Sequence, residues 1–437
     1  MNITPSNNGN GRGVLAKLGT LSILYVSVFL TRIGFGTMLI LFPIYLVKPD
    51  GVTPVGPAVT GLVLSLYPAL EGISALPVGT WVDRQGRRRA FVTGMSSITI
   101  LTLAISLTRT NIPFVGGAHA LMGLSAAMVT VSSLTMITDL TGVRNRGTGM
   151  GAFDMANLVG YGLGIILGTI MERTFNSSLQ TAFQVVAAIF GIAAVFVFFS
   201  LREPAHSSRE QRSLSATFTT VSGDVAAILP VWFSLTVIVG FYFLLPSIVR
   251  QLQPQTTLER SAGLILIGLA VLGGGALLFG RLSDKIGRTK TMTIGVIGEL
   301  GFLLLFPGLL TTLIAIPLDE SFLSALFLAG PLGVLAGAFF FLGSALVPSI
   351  LAYIGDNATH DVRGSAMGLY SLMLSAGIAI GNVVAGITFE AGGVEAVFFT
   401  GAAILGGMSL ASGFLLRRQN HVMTSVGDIS RTQSKPL

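Results

Sequence analysis

Twelve stretches of roughly 20 or more mostly apolar residues run through the chain, each long enough, at about 1.5 Å per residue, to cross a hydrocarbon core of about 30 Å. A segment that long in a bilayer satisfies its own backbone only as a helix. The spans, numbered 1 to 12, are 18–47, 58–82, 90–108, 113–138, 147–171, 180–201, 226–249, 262–282, 291–316, 325–354, 364–389 and 393–416. With 51% apolar and 10% charged residues, almost nothing is left for a soluble domain. The expected fold is an all-α polytopic membrane protein with six-helix bundles at 18–201 and 226–416. A linker at 202–225 joins them, and disordered tails flank them at 1–17 and 417–437.

The first 17 residues, MNITPSNNGNGRGVLAK, are polar, and the apolar run behind them is too long for a signal-peptide core. Span 1 is therefore an uncleaved helix. Lys and Arg set orientation, because positively charged loops stay on the cytoplasmic side. With the N-terminus inside, the outer loops hold five of the 26 basic residues, Lys48, Arg109, Arg173, Arg250 and Arg260. Arg32 lies within span 1, and the other 20 fall on the tails or at the ends of even-numbered spans and the loops after them. Both termini are expected in the cytoplasm and the chain in the cytoplasmic membrane. The net charge of +7 is then a topology signal, and nucleic-acid binding, which needs a soluble basic surface, is not expected.

Charge is concentrated in two loops. GTWVDRQGRRR (79–89) follows span 2 and GRLSDKIGRTK (280–290) follows span 8. Both fit G-x-x-x-D-[RK]-x-G-R, and their first glycines, Gly79 and Gly280, are 201 residues apart. RGTGMGAF (146–153) after span 4 pairs with RGSAMGLY (363–370) after span 10, an offset of 217. Six spans plus six, matched odd to odd, make a parallel repeat about an axis along the membrane normal.

On these motifs the chain resembles the major facilitator superfamily over essentially its whole length, and its drug-exporter-like members in span 1, the first loop and span 4. The resemblance implies a cytoplasmic gate at Gly79, Asp83, Arg84, Gly86, Arg87 and Arg88, with a second copy at Gly280, Asp284, Lys285, Gly287 and Arg288. Asp139, in ITDLTG, matches an acidic residue that such members place beside the loop. The chemistry agrees, since a carboxylate such as Asp83 can pair with guanidinium groups or accept from N–H groups at a helix start. Gly79 is expected to admit a partner helix, and Gly86 a tight turn.

Span 5 carries Gly160, Gly164 and Gly168 at a spacing of four, and span 11 repeats the pattern as Gly377, Gly381 and Ala385. Small residues so spaced let backbones pack closely. Antiporters of the family carry a Gly-Pro step in span 5, whereas Gly164 here is followed by Ile165. Many members have Arg in span 4 where this chain has His119, in HALMG. An imidazole titrates near neutral pH, so a proton carrier and an interfacial hydrogen-bonding group both fit.

Away from the span ends charges are few: Arg32, Glu71, Asp154 and Glu299. Each is costly in hydrocarbon and by default a functional candidate. Asp154, near the cytoplasmic end, can instead join the gate, and Glu299, on a span peripheral in the family, is expected to be structural. Arg32 lies 15 residues after Lys17, and Glu71 lies 12 before Asp83, which is about 22 Å up span 1 and about 18 Å up span 2. Because a short outer loop joins these spans, they are expected to be neighbours and Arg32 and Glu71 to form a central couple. Glu71 and Asp154 are the expected proton carriers, since a carboxyl group in a low-dielectric cavity can load and release a proton.

There is no P-loop, HExxH, nucleophile elbow or zinc-ligand cluster, and zero cysteines exclude disulfides and thiolate ligands. The chain is expected to be no enzyme, to need no cofactor or metal, and to draw on an ion gradient or the gradient of its substrate. The expected activity is secondary transport, specifically proton-coupled export of lipophilic or amphipathic compounds. The cavity is expected to be lined by Tyr25, Phe29, Phe241, Tyr242 and Phe339 to Phe341. Expected partners are a small-molecule substrate, protons and the lipid bilayer, with a monomer as the working unit. Two other readings stand beside it: transport of an organic anion or sugar-like metabolite, with Arg32 binding the anion, and a non-transporting sensor or scaffold on the same fold.

Overall fold

In the computed structural model residues 8–47, 55–108, 111–141, 146–175, 178–203, 225–252, 259–315, 329–357 and 363–433 are described, and the regular structure among them is helical. The first six helices are α1 (Asn8–Val47), α2 (Pro57–Gln85), α3 (Arg87–Leu107), α4 (Ile112–Leu140), α5 (Arg146–Thr174) and α6 (Leu179–Ser200). A 3₁₀ turn at Ala226–Ile228 leads into α7 (Leu229–Leu252), α8 (Glu259–Ile286), α9 (Arg288–Ala315), α10 (Gly330–Gly343), α11 (Leu346–Asn357) and α12 (Arg363–Gln433).

Eleven stretches are long and apolar enough to cross a membrane, and the last, Leu372–Arg418, holds two crossings. Within α12 the helix breaks at Gly392 and Gly393, the latter at φ +69 and ψ −158, a conformation that only glycine adopts freely. Spans 11 and 12 are the two arms of α12, and span 10 is α10 plus α11. The protein is thus a twelve-span helical membrane protein. Large apolar side chains point outward, among them Phe199 at 79% exposure and Leu410 at 77%, as suits a chain whose solvent is lipid.

The expected disordered tails need correction. α1 begins at Asn8 and α12 runs to Gln433, so residues 8–17 and 417–433 are helical. Neither stretch contains proline, and a helix already nucleated next door extends at small cost. Most of the expected linker, 204–224, lies outside the described residues.

Two compact units form, residues 1–210 with 243–262 and residues 211–242 with 263–437. The division follows the sequence repeat except that the last turns of α7 group with the first unit. In that unit α1 lies along α5 and α6, α2 along α4, and α3 along α4 and α6. In the second, α9 packs on α10, α11 and α12. Chain reversals carry their own signals: Gly86 and Gly287 sit at φ +97 and +100 in the two matched loops. Asn111 caps α4, its side-chain oxygen accepting from the Phe114 N–H at 3.0 Å.

Candidate functional site

The glycine seam of α5 places the charged centre. A Cβ on Gly164 would collide with the Ile33 carbonyl and lie 2.8 Å from the Gly36 Cα, and one on Gly160 would lie 2.7 Å from the Arg32 Cβ. α1 therefore presses directly against α5. Asn157, Gly160, Tyr161 and Gly164 share that face at helical spacing, so the Arg32 side chain, crossing Gly160, reaches the polar residues beside it. The second unit repeats the contact: a Cβ on Gly381 would collide with the Val237 carbonyl and lie 3.0 Å from the Gly240 Cα.

Arg32 is 9% exposed. Its Nε donates to Asn157 Oδ1 at 2.5 Å, its Nη1 to the Tyr161 hydroxyl at 3.2 Å and its Nη2 to Thr130 Oγ1 at 3.3 Å. The guanidinium also lies 5.5 Å from the Phe35 ring centroid and 5.4 Å from that of Tyr161, within cation–π range. These contacts bring no carboxylate to the cation. Glu71, partly exposed, interacts with Arg32 electrostatically, yet no contact ion pair joins them among the described residues. The expected direct couple is thus a through-space one. The cause is packing: α1 runs along α5 and α2 along α4, so the two side chains are not brought into touch.

Above this centre His119 stacks on Phe42 at 4.0 Å between centroids and lies 5.4 Å from the Tyr67 ring, while Tyr67 interacts electrostatically with Glu71, Tyr161 and Arg32. His119 Nδ1 is buried without a hydrogen-bond partner among the described residues. Close packing of α2 on α4 occurs at Gly123, whose Cβ would collide with the Tyr67 carbonyl. Gly79, expected to admit a partner helix, has open space around it, because the close approach is made at Gly123 instead.

The two matched loops carry a matched ion pair. Arg87 Nε bonds Asp139 Oδ2 at 3.1 Å, and Arg288 Nε bonds Asp356 Oδ2 at 2.8 Å. Arg87 and Arg288 are 201 residues apart, and Asp139 and Asp356 are 217 apart, the two offsets already seen in the motifs. Sequence reasoning named Asp139 and missed Asp356, which the same offset locates. Asp284 pairs with its own loop's Arg288 at 2.5 Å, and Lys285 and Arg84 are exposed. Gly280 has only the Pro348 Cβ nearby, at 3.9 Å. The side chains of Asp83 and Asp154 lie outside the described residues.

Glu203, expected in a solvated linker, instead caps α3. Its carboxylate oxygens accept from the backbone N–H groups of Arg87 and Arg88, each at 2.8 Å, where the helix dipole favours an anion. A Cβ on Gly86 would lie 3.2 Å from that carboxylate. Arg88 Nε donates to the Leu201 carbonyl at 2.7 Å. At the opposite end of the first unit, Arg250 Nη1 lies 3.5 Å from Glu172 Oε1, and the Glu172 carboxylate is 2% exposed.

The Asp139 side chain is 18% exposed and that of Asp356 57%, which separates their worth. Asp139→Asn is expected to cost about 1.5–3 kcal/mol, as for a hydrogen bond to a charged group. Asp356→Asn is expected to leave the melting temperature nearly unchanged, as exposed ion pairs contribute little. Thermal unfolding in detergent checks both.

Of the expected cavity aromatics, Tyr25, Phe29, Tyr242 and Phe339 to Phe341 keep partial exposure. Phe241 does not: it is 0% exposed and packs where a Cβ on Gly401 would stand 3.0 Å from its ring, so it fills core and lines nothing. Among the described residues no group of three or more His, Asp or Glu side chains could hold a metal ion.

A family model described as Major Facilitator Superfamily matches residues 24–342. Multidrug resistance protein 2 of Bacillus subtilis (strain 168) is 24% identical over 401 residues, which cover 89% of this chain and 93% of that protein. Multidrug resistance protein MdtG of Klebsiella pneumoniae (strain 342) is 23% identical over 410 residues, 91% of this chain and 93% of that one. Among solved structures, the nucleoside transporter NupG aligns with a TM-score of 0.68 at 12% identity over 91% of this chain and 98% of its own, a likeness of fold.

Proposed function

The chain belongs to the Major Facilitator Superfamily, and we propose that this membrane transporter exports lipophilic or amphipathic compounds in exchange for protons, with its basic loops and both termini in the cytoplasm. One observation carries the reading. Arg32 is a buried cation held by neutral oxygens, and Glu71, partly exposed and with no side-chain contact partner among the described residues, lies within its electrostatic reach. A carboxyl group so placed can take a proton from an aqueous path, and losing its charge changes the field at Arg32 without breaking an ion pair. The offsets of the repeat add support. With the offset of 204 that relates Gly36 to Gly240 in the two seams beside those of 217 and 201, Arg32, Asn157 and Tyr161 map to Thr236, Leu374 and Ile378, and Glu71 to Leu272, so the second half keeps the helix seam but has neither the cation nor the carboxylate. A centre absent from one half is not required by the fold. The names of the whole-length relatives, multidrug resistance proteins, favour lipophilic cargo.

A second reading rests on the same cation. No carboxylate contacts Arg32 among the described residues, and an uncompensated guanidinium suits an organic anion. Proteoliposomes separate the two. With an acidic exterior, addition of a lipophilic cation or neutral amphiphile is expected to elicit proton flux, and organic anions are not. Flux with anions alone would replace the first reading by the second, and no flux with either class would remove proton coupling.

A further inference from the structure

Glu299 is 5% exposed in the middle of α9. Its Oε1 accepts from the Tyr242 hydroxyl of α7 at 3.1 Å, and no cation contacts it among the described residues. Gly343 on α10 leaves the space that the carboxyl group occupies, since a Cβ there would fall 2.7 Å from Glu299 Oε2. Phenylalanine rings close the surroundings: Phe302 and Phe398 lie 6.5 and 6.3 Å from the Tyr242 ring.

The repeat shows that the fold does without this arrangement. Offset 201 carries Glu299 back to Ile98, offset 217 carries Gly343 to Ala126, and the offset of 204 between Gly36 and Gly240 carries Tyr242 to Met38. All three counterparts are buried apolar residues. A carboxyl group, its hydroxyl partner and the space for it thus stand where the first half has three buried apolar residues. We propose that Glu299 with Tyr242 is a second proton-binding site, in the second unit and separate from Glu71.

An ionised carboxylate here would have one hydrogen bond and no counter-ion, an expensive state in a low-dielectric interior. The neutral acid needs no counter-ion. Tyr242 is partly exposed where Glu299 is not, and a phenol, able to donate and accept, can pass a proton inward. Other titratable groups stand off. On α9, Arg288 and Lys290 are at least nine residues away, about 13 Å along the helix. α10 has no titratable side chain, and on α11 Asp356 is tied to Arg288 while Tyr353, a partly exposed phenol, carries no charge near neutral pH. On α12, Glu390 and Glu395 are exposed, and on α7 Arg250 is paired with Glu172.

Infrared difference spectra of the whole protein in detergent, taken between acidic and alkaline buffer, test this without any transport assay. One protonated-carboxyl C=O band is expected to vanish in Glu299→Gln and to shift in Tyr242→Phe, while Glu71→Gln removes a different band. In proteoliposomes, Glu299→Gln is expected to lower the proton count per cycle by one. That second reading alone rests on proton coupling, so its failure with the band present counts against coupling and not against the site. The triple variant Tyr242→Met, Glu299→Ile, Gly343→Ala restores the first half's residues and is expected to fold while lacking the band, which guards against a single variant that misfolds. A spectrum unchanged by Glu299→Gln in folded protein would overturn the proposal.

Discussion

Gly164→Val is expected to abolish recoverable folded protein. The new Cβ would strike the Ile33 carbonyl and lie 2.8 Å from the Gly36 Cα and 2.9 Å from the Thr37 nitrogen. Overpacking costs about 1–3 kcal/mol where side chains can turn aside, but these obstacles are backbone on a neighbouring helix and can yield only if α1 and α5 separate. Separation would break the 3.1 Å bond from Thr37 Oγ1 to the Gly164 carbonyl and the hold of Asn157 and Tyr161 on Arg32. A loss above about 4–5 kcal/mol follows, in the range that empties a native state. Gly162, two residues away, meets nothing within 4 Å, so Gly162→Val is the matched control and should purify normally. Size-exclusion profiles of the two variants decide the matter; a monodisperse Gly164→Val protein with the wild-type melting temperature would show that the helices are not in contact there.

That seam was legible in the sequence because glycine at a spacing of four leaves few physical alternatives on a membrane helix. The twelve spans were legible for a related reason: hydrocarbon permits only segments of a set length and apolarity. What depends on rotation about a helix axis was not. Arg32 and Glu71 were expected to touch, but which residues a side chain touches depends on which helix lies alongside, and a short loop between spans 1 and 2 did not make α2 the partner of α1. Asn157 and Thr130 carried no signal, being neutral polar residues of the kind found throughout such helices. Asp356 and Glu203 did carry one, a repeat offset in the first case and a carboxylate facing a helix start in the second, but Asp356 lies in the last turn of α11 and Glu203 just past α6, places where charge is ordinary. Glu299 sits on a span peripheral in the family, which suggests a structural residue; its departure from Ile98 in the repeat shows only when the two halves are aligned residue by residue.

Glu71→Gln should uncouple the transporter while leaving it folded. Glutamine keeps the size of the side chain but can neither lose nor gain a proton at neutral pH, and because no contact ion pair holds Glu71 to Arg32, the substitution strands no partner. The guanidinium retains Asn157, Tyr161 and Thr130. Stability is therefore expected to change by less than about 1 kcal/mol, as for substitutions that leave no buried group unpaired. A gradient of one pH unit supports about tenfold accumulation per coupled proton, and this accumulation is what the variant should lose, with substrate exchange at equal pH retained. Arg32→Lys provides the complementary case. An ammonium is a point charge without the planar fork, so it cannot hold three acceptors on α4 and α5 together, and both exchange and melting temperature should fall. Accumulation against gradient, equal-pH exchange and thermal unfolding, measured on each variant, separate loss of coupling from loss of structure. A Glu71→Gln protein that accumulates substrate with the wild-type pH profile would place the coupling proton elsewhere.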